Sequence, residues 1–234
     1  MKTTECTING IPALLWGESS EKLFVAVHGN MSHKADTVIG LFAQTAAQKG
    51  YQTLSFDLPE HGDRKGDGAP CKVQNCIAEL LTVMNYAKNC WNRISLFGCS
   101  MGAYFSLLAF EKERLEQCLF LSPVVNMEFL IEQMMTSFSI TPEQLKKQQE
   151  IPTPVGQTLY WDYYCYVKSH PLRRWTAPTA ILLGERDDLC SKESITAFSE
   201  RFDCRISVVP DGEHFFHTPE QLAAYENWLE QQIL

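Results

Sequence analysis

Hydrophobic and polar positions along the 234 residues fall into two alternating rhythms. Short, nearly continuous apolar runs rich in β-branched and aromatic residues alternate with longer stretches carrying apolar residues every three or four positions. Lys22 to Val27, Gln52 to Asp57, Ile94 to Phe97, Cys118 to Ser122, Thr179 to Leu183 and Arg205 to Val209 belong to the first kind and predict strands. Thr37 to Lys49, Val73 to Asn89, the stretch from Ala103 to Phe110 and Pro219 to Leu234 have helical spacing, the first stopping at Gly50. Short apolar strands separated by helices predict a mostly parallel sheet with helices on both faces. The first ~20 residues add an antiparallel hairpin at one edge, Glu5 to Ile8 followed by Pro12 to Trp16.

Between Val125 and Thr176 the alternation stops. Two short amphipathic helices, Glu128 to Phe138 and Pro142 to Glu150, precede the proline-bearing stretch Ile151 to Gly156 and the aromatic cluster Tyr160, Trp161, Tyr163, Tyr164 and Tyr166. The pattern predicts an insertion between two strands of the sheet. The expectation is one domain spanning 1–234, with a lid or cap at about 128–175. No internal repeat or low-complexity segment interrupts it.

Composition narrows the partners more than it changes the fold. An apolar fraction of 45% and a charged fraction of 21% are those of an ordinary globular protein. A net charge of −8 disfavours nucleic acid and anionic membrane surfaces. No stretch approaches the ~18 uninterrupted apolar residues of a membrane span, and the N-terminus lacks the apolar core of a signal peptide. Nine scattered cysteines, an odd number, read as reduced thiols in a cytoplasm rather than a disulfide framework. Cys71 and Cys76 are the one close pair, and they lack the partner set of a zinc site.

Chemistry concentrates in Gly98-Cys99-Ser100-Met101-Gly102, directly after the run Arg93 to Phe97. Gly-x-Ser-x-Gly between a strand and a helix is the sequence form of a nucleophile elbow, a strained turn whose neighbours must be nearly free of side chain. A serine nucleophile needs a base, an orienting carboxylate and an oxyanion hole. In an open α/β sheet these lie beyond the carboxyl ends of the strands. Gly184-Glu185-Arg186-Asp187-Asp188 places an acid at one such tip. Pro210 to Phe216 places His214 after the last strand, and His28-Gly29-Asn30-Met31 forms a bend whose N–H groups can point inward. The order Ser100, Asp187, His214 is the nucleophile–acid–histidine order of α/β-hydrolases.

Along essentially its whole length the chain resembles small lidded serine hydrolases of the α/β-hydrolase superfamily. The resemblance rests on His28-Gly29, the Ser100 elbow, Gly184-x-x-Asp187 and Gly212-Glu213-His214-Phe215. Asp57 to Gly62 is similar to a loop that in such enzymes reads Asp-x-x-Gly-x-Gly-x-Ser. Here Glu60 replaces the first glycine, and Asp63-Arg64 the final serine region. His28 to Asp36 and the aromatic insertion, taken as a hairpin, are similar to cinnamoyl- and feruloyl-esterase-like hydrolases. The resemblance implies Ser100 as nucleophile, His214 as acid and base, and Asp187 as its orienting partner, the acid standing three residues after the glycine. Asp188 is the competitor for that last role. The backbone N–H groups of Asn30 and Met101 would form the oxyanion hole. No cofactor and no metal are implied.

Other residues draw plainer readings. His28 and His61 read as structural hydrogen-bonding residues, His33 and His170 as surface or lid positions, and His217 as the start of the last helix. Cys99 is expected to face the core, and Asp57 and Asp63 read as turn-forming acids. Tyr160, Trp161 and Tyr164 are the candidate substrate-binding residues, lining an acyl or aryl pocket beneath the lid. The alternative is that the aromatics anchor the insertion. The implied activity is hydrolysis of a small or medium carboxylic ester through an acyl-enzyme, by a monomer or homodimer. Thioester or amide cleavage would use the same residues, and a non-catalytic ligand receptor would keep the fold without the chemistry.

Overall fold

The structure is a computed structural model and describes residues 1–234. Strands β1 (Thr3–Ile8) and β2 (Ile11–Trp16) form the expected edge hairpin. β3 (Lys22–Val27), helix α1 (Thr37–Gln48), β4 (Gln52–Phe56), α2 (Val73–Cys90), β5 (Arg93–Cys99), α3 (Met101–Ala109) and β6 (Cys118–Leu121) follow in strict alternation. The chain closes with β9 (Thr179–Gly184), α7 (Lys192–Phe202), β10 (Arg205–Val209) and α8 (Pro219–Gln232). Eight of the strands make one sheet in the order β1-β2-β4-β3-β5-β6-β9-β10, parallel throughout from β4 to β10.

The central strands are buried on nearly every residue, and mostly apolar, because both of their faces are covered. In β3 the period of two sorts the side chains cleanly. Leu23, Val25 and Val27 enter a large core shared with α2, α3 and the insertion, whereas Phe24 and Ala26 enter a smaller one with α1 and α8. Phe42 of α1 stacks on Phe97 of β5 at a centroid distance of 4.2 Å, beneath Tyr225 and Trp228 of α8. α8 begins with a reciprocal capping box between Thr218 and Gln221, with Pro219 in the first turn, so its entry angle is set by sequence.

Between β6 and β9 lie α4 (Met127–Ser137), α5 (Pro142–Gln148), the hairpin β7 (Glu150–Pro152) with β8 (Thr158–Tyr160), and α6 (Trp161–Ser169). The insertion is not a detached appendage. Ile131, Leu145, Leu159, Tyr164 and Val167 are buried in the large core. Lys72 reaches Asp162 at 2.9 Å, fastening the start of α6 to the start of α2.

Two elements differ from the sequence reading. The aromatic cluster is not a hairpin: β8 ends at Tyr160, and Trp161, Tyr163, Tyr164 and Tyr166 lie on α6. In addition, α7 fills the stretch between β9 and β10, where the apolar spacing had singled out no helix. Of α7 only Ile195 and Phe198 are buried and Phe202 half-buried, and nearly all its other residues are polar or charged, so its apolar positions are too few to stand out. No helix is long and apolar enough to cross a membrane.

Candidate active site

The site is built at the carboxyl ends of β3, β5, β9 and β10. Ser100 sits in the turn from β5 to α3 with φ 51° and ψ −121°, a conformation that side-chain-bearing residues adopt only under constraint. The constraint is the packing around it. A Cβ on Gly102 would collide with the carbonyl oxygens of Val27 and His28, so only glycine lets α3 start this close to β3. Ser100 N–H donates to Leu121 O at 3.0 Å, and Val124 N–H donates back to Ser100 O at 3.1 Å. The turn is therefore held from the β6 side as well.

A second close approach aligns the other two side chains. Gly184, the last residue of β9, lies against Gly212 with no room for a Cβ. Glu185 N–H donates to Val209 O at 2.9 Å, and Arg186 N–H to Gly212 O at 2.7 Å. This zips together the loops that carry Asp187 and His214. The result is a continuous chain of contacts. Ser100 Oγ lies 2.9 Å from His214 Nε2, and His214 Nδ1 lies 3.0 and 2.9 Å from the two carboxylate oxygens of Asp187. All three side chains are buried.

The electrostatics fit that arrangement. Burial opposes charge on Asp187, but the His214 contact and the N–H groups of Cys190 and Leu189 outweigh it and hold the carboxyl below its usual value. Asp187 is therefore an anion whose lone pairs require a proton on His214 Nδ1, which leaves Nε2 free to accept from Ser100.

The bend after β3 lies against Ser100: a Cβ on Gly29 would sit 3.1 Å from Ser100 Cβ. Neither Asn30 N–H nor Met101 N–H donates a hydrogen bond within the protein. Two unspent donors flank the serine.

No protein-family model and no curated protein matches this sequence. Solved structures do. Est1E from Butyrivibrio proteoclasticus with bound ferulic acid is 23% identical, covers 98% of this chain and 99% of its own, and superposes with a TM-score of 0.79. A putative hydrolase from Agrobacterium vitis S4 reaches 0.81 at 18% identity, covering 100% and 99%. Alpha/beta hydrolase domain-containing protein 10 from mouse reaches 0.77 at 14%, covering 100% and 98%. The chain has the α/β-hydrolase fold.

Asp188 is exposed, and it is Asp187 that meets His214. Cys99 packs against the smaller core, and burial pushes its thiol up to about 12. His33, His170 and His217 are all exposed. Asp57 accepts from Lys34 N–H, Lys34 Nζ and Asp63 N–H, as a turn-forming acid should. Tyr164 donates to Glu132 at 2.6 Å, and its ring meets Trp161 at 5.9 Å, whereas Lys72 lies over Tyr160. None of these three aromatics hydrogen-bonds or stacks on Ser100, His214 or Asp187.

Sequence reasoning missed Cys190. Its N–H donates to Asp187 at 2.9 Å, and its thiol donates to Pro123 O at 3.2 Å while lying 3.6 Å from His214 Nδ1. Burial raises this thiol far above its ordinary value, so it packs as a neutral group between the acid and β6. The available signal was position: Cys190 follows Asp187 by three and directly precedes Ser191, the N-cap of α7, so its N–H falls within reach of the carboxylate.

His28 shows how tightly the neighbouring loop is tuned. Its Nδ1 donates to Gly29 O at 2.7 Å and its Nε2 accepts from Leu58 N–H at 3.0 Å, which satisfies only the neutral ring. Burial first, and then the nearby His61, lower its pKa from 6.5 to about 4. Because the folded protein binds this proton more weakly than the unfolded chain, stability is complete above pH 6.5 and is lost as pH falls toward 4. The difference across that window is about 3 kcal/mol. Urea unfolding at pH 7.0 and pH 4.5 is expected to show most of that loss in the wild type. His28→Asn, though less stable at pH 7.0, should show a shallower acid decline. Equal slopes in the two proteins would remove His28 as the source.

Proposed function

We propose that the protein is a serine hydrolase that cleaves a carboxylic ester of a small or medium acyl or aryl substrate. The observation that carries this reading is the unbroken contact chain Ser100–His214–Asp187, flanked by the unspent N–H groups of Asn30 and Met101. In this reading Ser100 Oγ attacks the ester carbonyl as His214 Nε2 takes its proton. The resulting oxyanion receives Asn30 N–H and Met101 N–H, each worth about 3 kcal/mol of transition-state stabilisation. His214 then hands the proton to the leaving alkoxide, and a water molecule repeats the cycle on the acyl-enzyme. Asp187 fixes the tautomer and stabilises the imidazolium.

Esterases among the structural neighbours, Est1E with ferulic acid included, support an ester substrate. Met31 and Phe215, next in sequence to Asn30 and His214, are 81% and 55% exposed. This apolar pair beside the site favours a substrate with an aliphatic or aromatic group. The insertion at 128–175 is read as the lid over this site, with Tyr160, Trp161 and Tyr164 the aromatic candidates for the acyl pocket. Nine free thiols favour a reducing, cytoplasmic setting, and the charge of −8 favours a small molecule over nucleic acid.

The test is covalent and kinetic together. A fluorophosphonate probe should attach to the peptide carrying Ser100, and the wild type should turn over p-nitrophenyl acetate or butyrate. Faster cleavage of the matching thioester or anilide would reassign the leaving group while keeping the mechanism. Neither labelling nor turnover on any of the three would overturn the enzyme reading in favour of a ligand-binding protein.

A further inference from the structure

Outside the triad, one cluster of reactive groups stands apart: Cys71, Cys76 and His61. We propose that Cys71 and Cys76 form a peroxide-reactive dithiol, in which Cys71 is oxidised by a hydroperoxide and Cys76 resolves it to a disulfide. The inference does not depend on the ester-hydrolase reading, since it concerns thiols that the triad does not use.

The geometry supplies both halves. Cys71 Sγ and Cys76 Sγ are 3.7 Å apart, so side-chain rotation has to close under 2 Å to reach disulfide bonding distance. Cys71 stands two residues before α2 and Cys76 lies in its first turn, so the thiols share the electropositive end of that helix. Cys71 is part-exposed and Cys76 fully buried, as suits an attacked sulfur and a protected resolver.

Charge around the pair is arranged for a thiolate on Cys71. His61 Nδ1 donates to Pro59 O at 2.7 Å, so its Nε2 can also donate to Asn30 Oδ1, 3.2 Å away, only when the ring is protonated. Burial opposes that proton, but Cys71 and Pro59 O outweigh it and raise the His61 pKa. The hydrogen bond from Cys76 and, against burial, the His61 ring hold the Cys71 thiol down at about 6. Cys76 is driven the other way, by burial and then by Cys71 itself. Glu60, whose carboxylate accepts from Cys71 N–H, opposes the thiolate. Glu79 raises and Arg64 lowers Cys76, and Tyr163 of α6 faces both sulfurs.

The chemistry balances. The Cys71 thiolate attacks the hydroperoxide; an S–O bond forms, the O–O bond breaks, and the alkoxide leaves to be protonated. Sulfur is oxidised and the peroxide is reduced to an alcohol. The sulfenic acid is neutral, so the negative charge that had kept the Cys76 proton in place disappears. Cys76 then attacks Cys71, the S–S bond forms, the S–O bond breaks, and hydroxide departs with the Cys76 proton as water. A thiol reductant returns both cysteines.

Reduced wild-type protein treated with one equivalent of hydrogen peroxide, alkylated and digested with trypsin tests this directly, because cleavage after Lys72 puts the two cysteines on different peptides. The expected result is a disulfide-linked pair of peptides that dithiothreitol separates. Exposed Cys90 should remain alkylatable and serves as the internal control. Cys76→Ser should leave a Cys71 sulfenic acid that dimedone traps, and Cys71→Ser should abolish both products. Both variants sit in a loop and a first helical turn, and circular dichroism checks their folding. Oxidation of Cys90 before the pair, or a Cys71 that stays alkylatable in both wild type and Cys76→Ser, would overturn the proposal. Labelling of Ser100 by fluorophosphonate is read separately, so the two conclusions fail independently.

Discussion

Ser100→Ala is expected to lower kcat on p-nitrophenyl acetate by about 10⁶-fold, the loss typical of removing the nucleophile from a serine–histidine–acid site. The size follows from how completely the pathway runs through one oxygen. Ser100 Oγ is the atom held 2.9 Å from His214 Nε2, and the neighbouring thiol of Cys99 is packed in the smaller core and kept protonated. No second nucleophile waits in the turn. Residual catalysis should come only from the N–H groups of Asn30 and Met101 acting on a water-attacked ester, about 10³-fold over solution.

The fold should survive the change. The φ of 51° is imposed by the Gly102 approach and by the backbone bonds to Leu121 and Val124, none of which involves Oγ. Unfolding midpoints of the two proteins should therefore lie close together, and fluorophosphonate labelling should vanish with activity. A variant that keeps even one per cent of wild-type kcat would place the nucleophile elsewhere.

Much of this was legible in the sequence because the physics is local. β3 and β5 sit buried on both faces, so Leu23 to Val27 and Ile94 to Phe97 are apolar but for Ser95, and that leaves a recognisable run. The turn at Ser100 must carry glycine at 102 for want of space, and Asp187 and His214 follow strands whose ends converge. What stayed hidden depends on contacts between distant segments. α7 contributes Ile195, Phe198 and the half-buried Phe202 to the core among mostly polar residues, so its apolar signal is faint. The aromatic residues after Tyr160 carry strand propensity, yet the 161–169 segment is helical because Tyr164 and Val167 dock against the core and Asp162 is tied to Lys72. Here tertiary packing outweighs intrinsic preference. Cys190 and the Cys71–Cys76–His61 cluster owe their character to burial and neighbours, which spacing alone does not report.

The choice between the two adjacent acids is where sequence was least decisive, and it yields the second large effect. Asp187→Asn is expected to lower kcat by about 10⁴-fold, while Asp188→Asn should stay within about twofold of wild type. Asp187 is buried and presents both carboxylate oxygens to His214 Nδ1, and its Oδ1 also accepts from Leu189 N–H and Cys190 N–H. Those N–H groups turn the carboxamide oxygen of an asparagine toward themselves, which leaves its NH₂ facing Nδ1. The ring must then carry its proton on Nε2, where it points at Ser100 and can no longer accept the hydroxyl proton. Geometry is kept and the base is lost, so kcat should fall with little change in KM, and labelling by fluorophosphonate should slow in proportion. Asp188, exposed and one residue on, touches none of these groups. A large loss in Asp188→Asn with Asp187→Asn near wild type would reverse the assignment. Comparable losses in both would mean that the loop, rather than one carboxylate, positions the histidine.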